Sequence, residues 1–202
     1  MNQNFFQSPP TQETEESKLE KNIRIIESLD CNLKAKANMV LVLLGLKPAT
    51  DVFFLGNNED LKPFKSKIKE TGLSFDVTGS LLLDNNRVKE DLVISKKQEI
   101  ASLVAFLFKT PNLNRRELGV YMGYPETAIN AFVGLKEKHQ DSRKVFQDKG
   151  ISDSVASFIL SKDNWQEEIK TAEKWVEGLT LKAPELYKKV MDTEKNRTIG
   201  QI

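Results

Sequence analysis

The chain has 202 residues, 39% of them hydrophobic and 29% charged, and its 30 basic and 29 acidic side chains leave a net charge of +1. That length admits one ordinary domain or two small ones, and the apolar content with balanced charge excludes wholesale disorder. A single Cys and a single His exclude an internal disulfide and a histidine-rich metal centre. No apolar run reaches the roughly 18 residues that a membrane-spanning helix needs.

Residues 1–16 read as a disordered tail. They hold Pro9-Pro10 and the glutamates Glu13, Glu15 and Glu16, with little apolar surface to offset the entropy of ordering. Phe5 and Phe6 are the exception, an aromatic pair able to dock on the body or on a partner. The first residues carry no base and no long apolar stretch, so neither a secretory signal nor an organelle presequence is read there, and a cytoplasmic protein is expected.

Order begins near Ser17. Leu19, Ile23, Ile26 and Leu29 fall at helical spacing, predicting an amphipathic helix to about Asp30. A second helix is predicted over Leu33 to Leu44, apolar almost all round from Met39 onward. Gly45 closes it and Pro48 prevents its continuation.

The period then changes. Asp51 to Leu55 reads as a strand followed by a Gly56-Asn57-Asn58 loop, and Asp60 to Thr71 as a helix stopped by Gly72. Pro63 suits only a first turn, which places the start of that helix near residue 61. Leu73–Val77, Ser80–Asp84 and Leu92–Ser95 read as further strands. Thr78-Gly79 and Asn85-Asn86 are the turns between them. The order β-α-β-β-β predicts one parallel crossover and a meander, hence a small mixed sheet of about four strands.

The remainder reads as helical. Capping-box spacings at Ser95/Gln98, Asn114/Glu117 and Asp163/Gln166 mark three helix starts. Helices are predicted over Ile100–Phe108, Arg115–Met122, Pro125–Lys138, Val155–Leu160, a stretch through Trp175 to Gly178, and Pro184 to about Asp192. Trp165 and Trp175 can share one apolar stripe and read as core. The fold class is therefore α+β, the small sheet packed with N-terminal and C-terminal helices. Residues 17–195 form one domain and 196–202 fray; an alternative division makes 111–195 a helical subdomain.

The most informative stretch is Arg115 to Phe132. A helix-turn-helix needs a small residue where the helices cross, a Gly at the turn four residues on, and an apolar residue six beyond that. Gly119, Gly123 and Ile129 occupy those places. Any tight helical hairpin needs the same residues. Read as a DNA-binding unit, the second helix offers Thr127 and Asn130 to bases, with Arg115, Arg116 and Lys136 at phosphates. Against that reading, Glu126 leads the helix, and Lys109 to Gly150 holds eight basic and five acidic side chains, a small surplus. Read as a binding surface, the Gly-Tyr-Pro turn offers Tyr124, pushed toward an extended conformation by the following Pro, and Tyr121 three residues earlier.

The string Leu118-Gly119-x-x-x-Gly123-Tyr124-Pro125-x-x-x-Ile129-x-x-Phe132 resembles a segment of uncharacterised prokaryotic domain families of unknown function, with Gly45-Leu46-Lys47-Pro48-Ala49 part of the same resemblance. In some of those families the positions of Thr127 and Ala128 are a Cys pair, which this chain lacks. The resemblance implies a prokaryotic domain with a shared surface at the Gly-Tyr-Pro turn, and no activity.

The motifs of familiar enzymes are missing. There is no phosphate-binding Gly-rich loop and no nucleophile elbow. His139 lies in the charged run Lys136 to Asp141, and Cys31 reads as a small apolar residue. No cofactor or metal is called for. The expected function is a non-catalytic domain that binds a protein or small-molecule partner. DNA binding through residues 115–138 is the alternative, and an enzyme with a site assembled from distant residues is the second alternative.

Overall fold

Side-chain caps set where the first helices begin. Thr14 accepts a hydrogen bond from the Ser17 N–H and Asn32 one from the Ala35 N–H, opening α1 (Glu15–Glu27) and α2 (Leu33–Leu43). Each bond satisfies a donor that a helix start leaves open. The computed structural model describes residues 14–110 and 114–199, so most of the expected tail and the last three residues lie outside the described part. α1 starts two residues before Ser17, because Glu15 and Glu16 suit the positive end of the helix dipole. α2 is buried on nearly every side and ends in a left-handed turn at Gly45, φ +76°.

The sheet departs from the expected one. β1 (Ala49–Asn57) absorbs the expected Gly56-Asn57 loop and runs directly into α3 (Asn58–Glu70). α3 starts upstream of residue 61 with Glu59 and Asp60 in its first turn, leaving Pro63 inside the helix. β2 (Ser74–Leu82) is one strand where two were expected. Thr78-Gly79 makes a bulge in it rather than a turn, with the Thr78 hydroxyl donating to the Asp91 carbonyl at 3.1 Å. β3 (Arg87–Ser95) follows a tight turn in which Asn85 and Asn86 both take φ 59°, as such hairpins require. The sheet therefore has three strands, ordered β1-β3-β2 and antiparallel throughout. α3 carries the chain past one strand position, and β3 fills the gap, so β1 and β2 share a direction without touching.

The two sheet faces have different covers. Val52, Phe54, Leu92 and Ile94 join the main core with α2, with Phe64 and Ile68 of α3, and with the C-terminal helices α8 (Trp165–Lys182) and α9 (Pro184–Ile199). On the other face Ala49 and Val93 pack on Val104 and Ala105 of α4 (Gln98–Lys109). Trp175 is fully buried in the main core and Trp165 packs against it.

α5 (Arg115–Tyr121), α6 (Glu126–Phe132) and α7 (Ser142–Asp148) connect the two parts. α6 stops six residues short of Lys138, at Gly134 with φ +86°. Of the expected capping boxes, Asn114 is the N-cap of α5, whereas Lys97 and Asn164 replace Ser95 and Asp163 as the N-caps of α4 and α8, and none of the three makes a side-chain cap bond. The expected helix Val155–Leu160 is absent. That segment is mostly buried but irregular: the Val155 and Ala156 N–H groups close a turn onto the Ser152 carbonyl, and only its end is paired, the His139 N–H donating to the Leu160 carbonyl and the Lys162 N–H to the Glu137 carbonyl. α9 continues beyond Asp192 to Ile199. Among the described residues, no helix is long and apolar enough to cross a membrane.

Candidate functional site

The turn after α2 brings a lysine into the interior. The N–H groups of Leu46 and Lys47 both donate to the Leu41 carbonyl, folding Lys47 back along the helix it has just left. Its side chain is 5% exposed. The ammonium donates to Asn38 Oδ1 and to the Val155 carbonyl, 3.1 Å away, and lies 3.9 Å from the centre of the Trp175 ring. Trp175 is itself fixed by donating from Nε1 to the Leu46 carbonyl. Burial pushes the Lys47 amine down to about 7; the charge of Lys34 adds to the effect and Asp51 opposes it.

From Lys47 the bonding continues outward. Asn38 Nδ2 donates to the carbonyls of Lys34 and Ser154. Ser154 donates from its N–H and its hydroxyl to Glu194 of α9, and Ser152 adds a third bond to the same carboxylate oxygen at 2.6 Å. A buried lysine, an amide, two serines and a carboxylate thus tie α2, the 152–156 segment and α9 together. Every member uses the bonding capacity that burial would otherwise leave costly.

This chain of bonds backs a cleft of about 750 Å³. Phe146 and Phe158 give it an apolar floor, and Ser154 and Ser157 a polar wall. Lys34, Arg143, Asp153 and Glu194 stand around it. Arg143 pairs with Asp153 at 2.6 Å, yet the burial of Asp153 outweighs that pair and raises its carboxyl above the usual range. The cleft can hold a small polar molecule or a polar side chain against an aromatic floor, with charges of both signs at its mouth.

The Gly-Tyr-Pro turn lies behind this wall. Gly123 has φ +78°, and a Cβ there would stand 3.1 Å from Pro48 Cδ and 3.6 Å from Lys47 Cα, so the turn seats directly on the Lys47-Pro48 step. Tyr124 packs its ring 5.4 Å from Phe158 and 6.5 Å from Trp175. Burial raises its phenol, and a side-chain hydrogen bond with Ser157 partly offsets the rise. Tyr121 is half-buried on the smaller core beside Ala49 and Val93, so the two tyrosines serve different faces of the sheet.

The DNA-reading residues are spread more widely. A Cβ on Gly119 would come within 2.8 Å of Ile129 Cγ1, so the expected close crossing of α5 and α6 is present. Arg115 is exposed; Arg116 is tied to Glu126 at 2.7 Å; Lys136 donates to Asn164; Thr127 and Asn130 are half-buried. His139 accepts a bond from the Asp141 N–H and sets its ring against Trp165, and it is not among the residues that line the cleft. Among the described residues, no group of three or more His, Cys, Asp or Glu is placed to hold a metal ion.

Asn38 and Glu194 were not among the residues singled out by pattern. Lys47 entered only inside the Gly45-to-Ala49 string of the resemblance, with no role of its own, as a charged residue between two markers of a helix stop. Compared with family models, with curated proteins and with solved structures, the chain matches none.

Proposed function

We propose that the chain is a non-catalytic binding domain. Its recognition site is the cleft walled by residues 152–158, and the Gly-Tyr-Pro turn braces that wall from behind. The observation that carries this reading is the continuous bonding from Lys47 through Asn38 and Ser154 to Glu194. It fixes the wall in one geometry before any ligand arrives, which lowers the ordering cost of binding. The acidic groups at the cleft support binding over chemistry, because their oxygens accept bonds that hold the fold. Tyr124 contributes through Ser157 rather than by direct contact.

The test is a thermal-shift screen of small polar acids, amines and zwitterions against the whole protein, followed by amide NMR mapping of any hit. Shifts concentrated at Lys34, 142–147 and 152–158, and lost in Arg143→Ala with its fold intact, are the expected result. Hits that map to other surfaces refute the assignment.

A second reading rests on the close Gly119–Ile129 crossing, which a helix-turn-helix also needs. Salt-sensitive binding of random duplex DNA, weakened by Arg115→Ala, is its signature.

A further inference from the structure

The face of the sheet that carries α4 is only half covered. α4 begins at the end of the sheet where Gln98 donates to the Phe75 carbonyl, and its C-terminal Phe108 reaches a notch of about 300 Å³ lined by Asp51, Gly79 and Asp91. Beyond that notch the same face continues with no cover among the described residues. Phe53 and Leu55 of β1 are each 44% exposed and Leu81 of β2 is 58% exposed. Between them β3 presents Lys89 and Arg87.

α4 has an unused side of its own. Leu103 is 42% exposed and Phe106 is 60% exposed, at i and i+3 on the side turned away from Val104 and Ala105. A helix apolar on both sides is normally covered on both. This outer side is flanked by Glu99 at its start and Lys109 at its end.

We propose that this face binds a second copy of the chain, the outer side of α4 from each copy lying on the bare half of the other's sheet. The charges specify the occupant. Glu99 and Lys109 are ten residues apart, about 15 Å along a helix. On the bare half, Arg87 and Asp91 are four residues apart, about 13 Å along a strand. A partner α4 with Glu99 over Arg87 and Lys89 brings Lys109 over Asp91 and Asp51, and seats Phe106 between Phe53 and Leu81. In this orientation the partner helix meets α4 C-terminus to C-terminus. A two-fold axis beside Phe108 generates that arrangement, so one operation satisfies both copies and the contact closes as a dimer.

Sedimentation and light scattering across a concentration series test the proposal. The wild-type protein should show twice the chain mass. Phe106→Asp should be monomeric with an unchanged circular dichroism spectrum and melting temperature, since that side chain is mostly exposed in one chain. Glu99→Lys and Lys89→Glu should each weaken the dimer by about tenfold. The two together should restore it, a rescue that cannot come from loss of the ion pair that Lys89 makes with Asp91 within one chain, 3.3 Å between Nζ and Oδ1. A wild-type protein that stays monomeric throughout the series overturns the proposal, and so does a dimer that survives Phe106→Asp. Failure of the charge-reversed pair to recover overturns the assigned orientation and with it the choice of occupant.

Discussion

Replacing Lys47 by Met should change how the stability of the protein depends on pH. The Lys47 ammonium is pushed from 10.5 down to about 7 in the folded chain, chiefly by burial. The unfolded chain keeps the ordinary value. Between pH 7 and about 10 the unfolded state therefore binds one more proton than the folded state. Stability then rises with pH, by about 1.4 kcal/mol per unit from this group alone. The contribution is complete above the unfolded value and is lost as pH falls toward 7. Lys47→Met removes the titration and leaves Asn38 Oδ1 and the Val155 carbonyl without their donor. Each unsatisfied acceptor costs about 1–3 kcal/mol, against relief from burying a charge. Denaturant unfolding at about pH 6.5, 7.5 and 8.5 gives the difference between the two proteins, in which all other titrations cancel. The wild-type advantage should grow by about 1.4 kcal/mol per pH unit above 7. Parallel profiles would refute the reasoning. They would mean that Asn38, Val155 and the Trp175 face hold the ammonium charged despite its burial.

Three further outcomes follow from the same packing. Tyr124→Phe should cost about 1 kcal/mol for the lost bond with Ser157, and Tyr124→Ala about 2–4 kcal/mol, because the ring packs on Phe158 and Trp175. Equal losses in denaturant unfolding would show that the ring is not packed. Gly123→Ala should lower stability by about 1–2 kcal/mol, since φ is +78° and Pro48 crowds the new Cβ, and a melting curve unchanged from wild type would contradict that geometry. Cys31, whose thiol burial pushes up to about 11, should react slowly with a disulfide reagent at neutral pH and quickly in denaturant. Fast labelling of the folded protein would place it at an open surface.

Local chemistry was legible in the sequence where a few adjacent residues decide the outcome. The breaks at Gly45, Gly72 and Gly123 each take positive φ, and Asn85-Asn86 turns the chain between β2 and β3. The Gly119–Ile129 crossing was legible for the same reason. Misreadings arose where two local answers compete and a distant strand decides. Thr78-Gly79 has turn chemistry, but β3 supplies a continuous ladder, and one extra residue is absorbed as a bulge at less cost than breaking the strand. Val155–Leu160 has apolar residues that suit a short helix. A turn onto the Ser152 carbonyl takes up the N–H groups of Val155 and Ala156 at one end, and the backbone of residues 137–139 pairs with residues 160–162 at the other, so the helix does not form.

The candidate site was the least legible part, and the reason is physical. Its members lie at positions 38, 47, 154, 175 and 194, on three helices and two connecting segments, so no spacing rule relates them. Each residue alone also suggests something ordinary. Asn38 interrupts an apolar helix, Lys47 sits in a turn, and Glu194 lies on a charged terminal helix. What unites them is a long side chain that burial deprives of water: the Asn38 amide and the Val155 carbonyl accept from it, and the bonding spreads from Asn38 through Ser154 to Glu194. Composition pointed to a protein poor in reactive groups, because it counted one Cys and one His. The structure moves attention from which residues are scarce to where a common one is placed: one lysine among 30 basic side chains, kept from solvent, holds the wall on which the proposed recognition depends.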